Sequence, residues 1–111
     1  MKLRQSDFDG DRLKRVGTLA VLFYAEWCPF CRSFYPEFER ALNSKDVSWA
    51  EADISDDDNP LWERFGISIV PSIILFKDGQ AIFRRDGVPG RGLSKKDIDE
   101  TLQAIESDAN H

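Results

Sequence analysis

The sequence predicts an α/β protein in which a mixed β-sheet lies between helices. Three patterns support this: an apolar run typical of a central strand, a helical stripe of aromatic residues directly after it, and a glycine-containing turn between two later strand patterns. The chain has 111 residues, 41% of them hydrophobic and 32% charged, as expected of an ordinary globular protein. We therefore expect a single domain over residues 1–111.

The N-terminal part of the chain contains the central strand. Residues 18–25 form an almost unbroken apolar run, which suits a strand covered on both faces. Upstream, residues 6–15 place Phe8 and Leu13 among charged side chains and are followed by Gly17. That pattern predicts a short helix that ends at the glycine.

An aromatic stripe predicts the next helix, over residues 29–42. The stripe repeats every four residues: Phe30, Phe34, Phe38 and Leu42. Pro36 lies inside the stripe and removes one backbone donor, so we expect it to kink the helix without ending it. Residues 47–52 are the next strand pattern. A strand, helix and strand in this order are expected to place the two strands in parallel.

The C-terminal half predicts a short helix, a β-hairpin and a final helix. Residues 60–65 form the short helix. Residues 72–77 and 81–86 are strands joined around Asp78 and Gly79, a pair typical of a two-residue hairpin turn, so these strands should be antiparallel neighbours.

Ser94 predicts the start of the final helix, because Asp97 follows three residues later and the two side chains can cap the helix. The apolar stripe of this helix consists of Ile98, Leu102 and Ile105. The complete order of elements fits a mixed sheet between helices.

Charge and hydropathy exclude several classes of function. Twenty acidic and fifteen basic side chains give a formal charge of −5, the wrong sign for binding nucleic acid. No apolar run is long enough to cross a membrane. The N-terminal residues carry early charges and lack the apolar core of a secretory signal, so we expect a cytoplasmic protein.

The residues that indicate chemistry are Cys28 and Cys31, which lie where the central strand ends and the aromatic helix begins. The free N–H groups and dipole of a helix N-terminus favour a thiolate at Cys28. Cys31, one turn into the helix, is close enough to attack a mixed disulfide formed by Cys28. Cys28, which we expect at the surface, is thus the predicted nucleophile, and Cys31 is the predicted resolving thiol.

Two alternatives compete with redox chemistry at this pair. Cysteines at this spacing also occur in zinc sites, which usually need four ligands. The chain has no third cysteine, and its one histidine is His111, so a zinc site would have to recruit carboxylates. Inert, buried cysteines are the other alternative. We predict no metal site.

A second signal lies at Val70 and Pro71, directly before a strand. A proline there is compatible with a simple strand boundary. Alternatively, the Val70–Pro71 bond is cis, which would turn the backbone towards the cysteines and expose a strand edge to an extended substrate. Beside the nucleophile, Trp27 is either a core residue or a substrate platform, and Phe30 offers apolar contact surface.

Taken together, these motifs resemble the thioredoxin family over nearly the whole chain. Residues 23–28 (Phe-Tyr-Ala-Glu-Trp-Cys) resemble the approach to that family's active site, and Pro36 resembles its helix kink. Val70 and Pro71 resemble its cis-proline loop, residues 76–79 its hairpin, and residues 92–94 the lead into its last helix.

This resemblance implies the thioredoxin fold, a mixed central sheet of four or five strands with helices on both faces and a C-terminal hairpin and helix. It implies disulfide exchange between the cysteine pair and protein substrates, as in a general cytosolic disulfide reductase. The cysteine pair would need no cofactor, and a monomer would be re-reduced by a thioredoxin-reductase-like donor. The implied substrate groove consists of Trp27, Pro29, Phe30, Val70, Pro71, Gly90 and Gly92.

Three departures from the family pattern stand out. Pro29 and Phe30 replace the usual Gly-Pro between the cysteines and are closer to the Pro-aromatic pair of glutaredoxins. Leu22 replaces a buried acid that accepts the proton of the resolving thiol. Glu51 aligns with a lysine that accompanies that acid, and it would restore a carboxylate from another strand.

Other functions on the same fold remain open. One is a thiol oxidase or isomerase, and another is a non-catalytic adaptor that binds partner proteins. Glutathione as the main substrate is disfavoured, because the chain lacks the paired glycines with which glutaredoxins hold it.

Overall fold

Five strands form the main sheet in the computed structural model, which describes residues 1–109. The strands of the chain are β1 (Lys2–Leu3), β2 (Phe8–Asp9), β3 (Arg12–Leu13), β4 (Thr18–Tyr24), β5 (Trp49–Asp53), β6 (Ser72–Lys77) and β7 (Gln80–Arg85). The helices are α1 (Pro29–Ser44), α2 (Leu61–Arg64) and α3 (Lys95–Ala109). Within residues 1–109, no helix combines the length and apolar character needed to cross a membrane.

The main sheet has the order β1-β5-β4-β6-β7, and β2 and β3 form a separate hairpin. β1 and β4 are both parallel to β5, whereas β6 is antiparallel to β4 and β7. This confirms the predicted mixed sheet, and β4 is its central strand. Residues 20–23 of β4 have no exposed surface.

Both faces of β4 are covered, as its apolar run predicts. Leu22 lies on the face that packs against α1 and α3, with Phe34 and Phe38 of α1 in the same cluster. On the opposite face, Phe23 and Phe65 lie with their ring centroids 5.5 Å apart. Leu61 of α2 and the β2–β3 hairpin complete that second cluster.

The helix predicted over residues 6–15 is wrong. The chain there forms a 3-10 turn (Gln5–Asp7) followed by the β2–β3 hairpin. Phe8 and Leu13 face each other as register partners, and both are buried. Gly10 takes a φ of +62°, so Gly10 and Asp11 make a turn at the point where a helix would have had to continue.

The other helices agree with the sequence pattern apart from their ends. α1 continues through Pro36 and extends two residues beyond the prediction. At the start of α3, the Asp97 carboxylate accepts hydrogen bonds from the backbone N–H and the hydroxyl of Ser94. Ile98 is buried, but Leu102 and Ile105 are only partly buried, because α3 lies at the margin of its cluster.

The turn between β6 and β7 confirms the predicted hairpin and also contacts the N-terminal hairpin. Asp78 and Gly79 have φ values of 49° and 88°, as a primed turn requires. The carbonyl of Gly79 accepts a 2.9 Å hydrogen bond from the N–H of Leu13. A Cβ atom at Gly79 would lie 2.5 Å from the carbonyl oxygen of Leu13. Glycine is therefore required here for its backbone conformation and for space.

We expect Gly79→Ala to destabilise the protein more than Gly66→Ala. Both glycines have positive φ, but a Cβ at Gly66 would meet nothing within 4 Å. Gly66→Ala should lower the free energy of unfolding by about 1 kcal/mol through backbone strain, and Gly79→Ala by roughly 2–4 kcal/mol through strain and overlap. Urea unfolding of the two variants measures the difference. Equal losses would contradict a tight contact between the two hairpins.

Candidate active site

The two cysteines meet at the N-terminus of α1. Cys28 is the N-cap residue, and Pro29 occupies the first helical position. The backbone N–H of Cys31 donates a hydrogen bond to Sγ of Cys28 over 3.3 Å. Both side chains are free thiols. A helix N-terminus thus directs a donor at the Cys28 sulfur, where it would stabilise a thiolate.

Both sulfurs are more buried than the sequence suggests. We expected Cys28 at the surface, but its side chain lies under the loop before β6, and its residue is 5% exposed against 2% for Cys31. The Cys28 thiol donates to the carbonyl of Val70 over 3.4 Å. The bond between Val70 and Pro71 is cis, as predicted. This loop and the cysteines therefore form one site.

The two thiols differ in their electrostatic surroundings. The pKa of Cys31 is raised to about 12, first by burial and then by its hydrogen bond with the Cys28 thiol, while a backbone hydrogen bond at Ala25 acts in the opposite direction. At neutral pH Cys31 is consequently a protonated thiol. It must lose that proton before it can attack a disulfide.

Trp27 is an exposed aromatic surface beside the cysteines. Its residue is 54% exposed, which rules out the core-packing alternative. The ring stacks on Trp62 at a centroid distance of 6.4 Å and an interplanar angle of 5°, and its Nε1 donates to the carbonyl of Ser55 over 2.9 Å. Neither Trp62 nor Ser55 carries a local sequence signal for this role, because their contacts with Trp27 join distant segments. The ring of Trp27 is held in place and faces solvent.

Phe30 lies in the first turn of α1, beside the loop that contains Gly92. Phe30 is 42% exposed, and a Cβ atom added at Gly92 would lie 2.8 Å from the Cβ of Phe30. Gly92 has a φ of +74°, so its backbone approaches Phe30 in a conformation that other residues rarely adopt. A Cβ at Gly90 would meet nothing within 4 Å. Of the two predicted loop glycines, Gly92 is therefore the one in contact with the cysteine motif.

No metal centre accompanies the cysteines in the described part of the chain. Among residues 1–109, no three side chains of His, Cys, Asp or Glu come together in a group that could hold a metal ion. His111, considered above as a zinc ligand, lies outside the described residues.

Comparisons with known proteins show which proteins this chain resembles. A sequence model described as thioredoxin matches residues 1–104. The chain is 32% identical to a thioredoxin of Rhodospirillum rubrum over 104 residues, which cover 93% of this chain and 96% of that protein. It is 38% identical to a thioredoxin of Chlamydia muridarum over 90 residues, or 80% of each chain.

Solved structures show the same fold. The crystal structure of Chlamydomonas reinhardtii thioredoxin f2 matches with a TM-score of 0.72 at 19% identity and covers 96% of this chain and 94% of that one. Thioredoxin f from spinach chloroplast matches with a TM-score of 0.71 at 18% identity, covering 96% of this chain and 84% of that one. The predicted fold class is therefore confirmed.

We expect an alkylating agent to modify Cys28 before Cys31 at neutral pH. The N–H of Cys31 at the start of α1 points at the Cys28 sulfur, whereas the raised pKa of Cys31 keeps that thiol protonated. Labelling of Cys31 should rise as the pH is raised towards about 12. Peptide mass mapping after brief treatment with iodoacetamide measures both sites. Preferential labelling of Cys31 at neutral pH would reverse the assigned roles.

Proposed function

Since this chain belongs to the thioredoxin family, we propose that it is a thiol–disulfide oxidoreductase that reduces protein disulfides with Cys28 and Cys31. The observation that supports this most directly is the donor geometry at Cys28. Its sulfur accepts the N–H of Cys31 at the start of α1, and the second thiol lies one turn further along the same helix. The pair can thus provide a nucleophile and a resolving thiol within one helical turn.

The reaction follows from these positions. The Cys28 thiolate attacks one sulfur of a substrate disulfide, forms a mixed disulfide and releases the other substrate sulfur as a thiolate. The Cys31 thiolate then attacks Sγ of Cys28, forms the Cys28–Cys31 disulfide and releases the second substrate thiolate. Two electrons pass from the dithiol to the substrate, and no cofactor beyond the cysteine pair is needed.

We assign the substrate groove to the surface around Cys28. Trp27 borders it on the side of α2, and Phe30 borders it where α1 meets Gly92. Val70 contributes a carbonyl at the sulfur. Apolar rings of this kind suit a protein segment that brings its disulfide to a largely buried thiol. The other proposed groove residues are Pro29, Pro71 and Gly90.

The proposal includes a thioredoxin-reductase-like donor that restores the dithiol. It also includes a monomer that works in the cytoplasm, a compartment whose reducing conditions suit a dithiol enzyme. An oxidase or isomerase would use the same two sulfurs and differ in its reduction potential.

Reduction of insulin in the presence of dithiothreitol, followed by turbidity, tests the activity. The wild-type protein should accelerate precipitation, and Cys28→Ser should abolish the acceleration because it removes the attacking sulfur. Cys31→Ser should instead accumulate a mixed disulfide, visible by non-reducing electrophoresis. A folded wild-type protein without activity would favour the adaptor alternative.

We expect the protein to be a weaker reductant than ordinary thioredoxin. Pro29 at the first helical position fixes the start of α1, and the N–H of Cys31 points at the Cys28 sulfur. A stabilised thiolate stabilises the reduced form and makes the potential less negative. The expected value lies between roughly −250 and −190 mV, against about −270 mV for thioredoxin. Equilibration with glutathione buffers, followed by tryptophan fluorescence, gives the value. A potential at or below that of thioredoxin would contradict this argument.

A further inference from the structure

Glu51 is the one charged residue that is buried among residues 1–109, with 6% of its surface exposed. It lies on β5 directly opposite Leu22 of β4, so both side chains share the sheet face that α1 covers. Burying a carboxylate is costly unless other groups compensate for its lost hydration. Its position behind the cysteine helix therefore suggests a role in the chemistry.

Three groups interact with the Glu51 carboxylate, namely Lys2, Tyr24 and Tyr35. The Lys2 ammonium lies 3.9 Å from its Oε1, and the Lys2 side chain is largely exposed, so this end of the carboxylate is near solvent. On the other side lies Tyr35 of α1. Burial raises the pKa of the Tyr35 hydroxyl, and the hydrogen bond to Glu51 and its negative charge raise it further. Tyr35 thus remains a protonated donor.

Tyr35 connects Glu51 with the resolving thiol. It follows Cys31 by four residues on α1, which places the two side chains on the same helix face. Both line a pocket of about 310 Å³, together with Tyr24, whose ring centroid is 5.9 Å from that of Tyr35. The remaining residues of the pocket are Ala25, Glu26, Arg32 and Pro36. The pocket is large enough to admit water between the thiol and the tyrosine.

We propose that Glu51 accepts, through the Tyr35 hydroxyl, the proton that Cys31 loses when it attacks the mixed disulfide. This inference rests on the function proposed above. The Cys31 proton passes to the Tyr35 oxygen as the Tyr35 proton passes to Glu51, so the hydroxyl is unchanged at the end. The Cys31 sulfur then forms its bond to Cys28 Sγ, and the substrate sulfur leaves as a thiolate that takes up a proton from solvent.

Other charged and titratable groups surround this route. They are Lys2 of β1, Tyr24 of β4, Glu26 after β4, Cys28, Arg32 and Glu39 of α1, and Asp53 of β5. Glu26 and Asp53 are exposed, and the Asp53 carboxylate already accepts hydrogen bonds from the N–H and the hydroxyl of Ser55. Among these carboxylates only Glu51 is buried, and Trp49, two residues before it on the same face of β5, has its ring centroid 5.9 Å from that of Tyr35.

Reaction of the reduced protein with Ellman's reagent, followed by stopped-flow absorbance, separates the two thiol steps. Attack by Cys28 releases a first coloured thiolate at a rate that depends on reagent concentration. Attack by Cys31 on the resulting mixed disulfide releases a second coloured thiolate, at a rate that does not depend on reagent concentration. The first phase tests the proposed function, and the second phase tests the role of Glu51. Absence of a fast first phase at neutral pH would overturn the proposed function itself.

Glu51→Gln and Tyr35→Phe should each leave the first phase nearly unchanged and slow the second at neutral pH by roughly tenfold or more, since positioned proton acceptors contribute at least that much. The difference between the second-phase rates of these variants and of the wild type should shrink as pH rises, because hydroxide can replace the lost proton acceptor. Glu37→Gln, which removes an exposed charge from α1, is the matched control and should behave as wild type.

Two results would overturn the proposal. One is a second phase in Tyr35→Phe that is as fast as in the wild type. This result would overturn the proposal even if Glu51→Gln does not fold. The other is a second phase slowed equally at every pH, because a general disturbance of the helix would have that effect and a lost proton acceptor would not.

Discussion

Burial of β4 on both faces is the constraint on which the rest of the molecule depends. Its central residues contact α1 and α3 on one side and the aromatic cluster around Phe23 on the other, so the strand cannot shift along the sheet without exposing one of the two cores. The end of β4 is therefore fixed, and so is the point at which the chain turns into α1. Cys28 lies at this turn. The packing of the whole sheet therefore sets the position of its sulfur.

The two sides of the cysteine motif serve different purposes. Towards solvent, Trp27 and Phe30 present apolar surface, and each is held by a segment distant in sequence. Behind the motif, Cys31 faces a pocket lined by Tyr24 and Tyr35. In the mechanism we propose, substrate approaches from one side and the proton leaves on the other, so the two events do not compete for the same space.

Local patterns were sufficient to predict much of this arrangement. Three local patterns each predicted one element, and all three elements were confirmed. They are the apolar run of β4, the aromatic stripe of α1 and the Asp78–Gly79 turn. The helix predicted over residues 6–15 was wrong because a hairpin of two short strands has too few alternating residues to be distinguished from a helical turn. Gly10 and Asp11 at its tip were the available signal.

What the sequence could not predict are contacts between distant segments. The stacking of Trp27 on Trp62, the approach of Gly92 to Phe30 and the burial of Cys28 under the Val70 carbonyl depend on how loops meet after the sheet has formed. Glu51 is an intermediate case. The alignment of Glu51 with the family pattern predicted a carboxylate near the site. Its interaction with Tyr35 could not be predicted, because it depends on how α1 packs on β5.

The order of the main sheet also bears on how the protein avoids aggregation. Its two outer strands are β1, only two residues long, and β7, which ends in Arg84 and Arg85. Both arginines form ion pairs, with Asp86 and Glu100, so charged side chains flank the free backbone groups of that edge. Short or charged outer strands are poor templates for the strand of another molecule. In the proposed function the cysteine end of the sheet is accessible to other chains, and these outer strands disfavour pairing with those chains along the sides of the sheet.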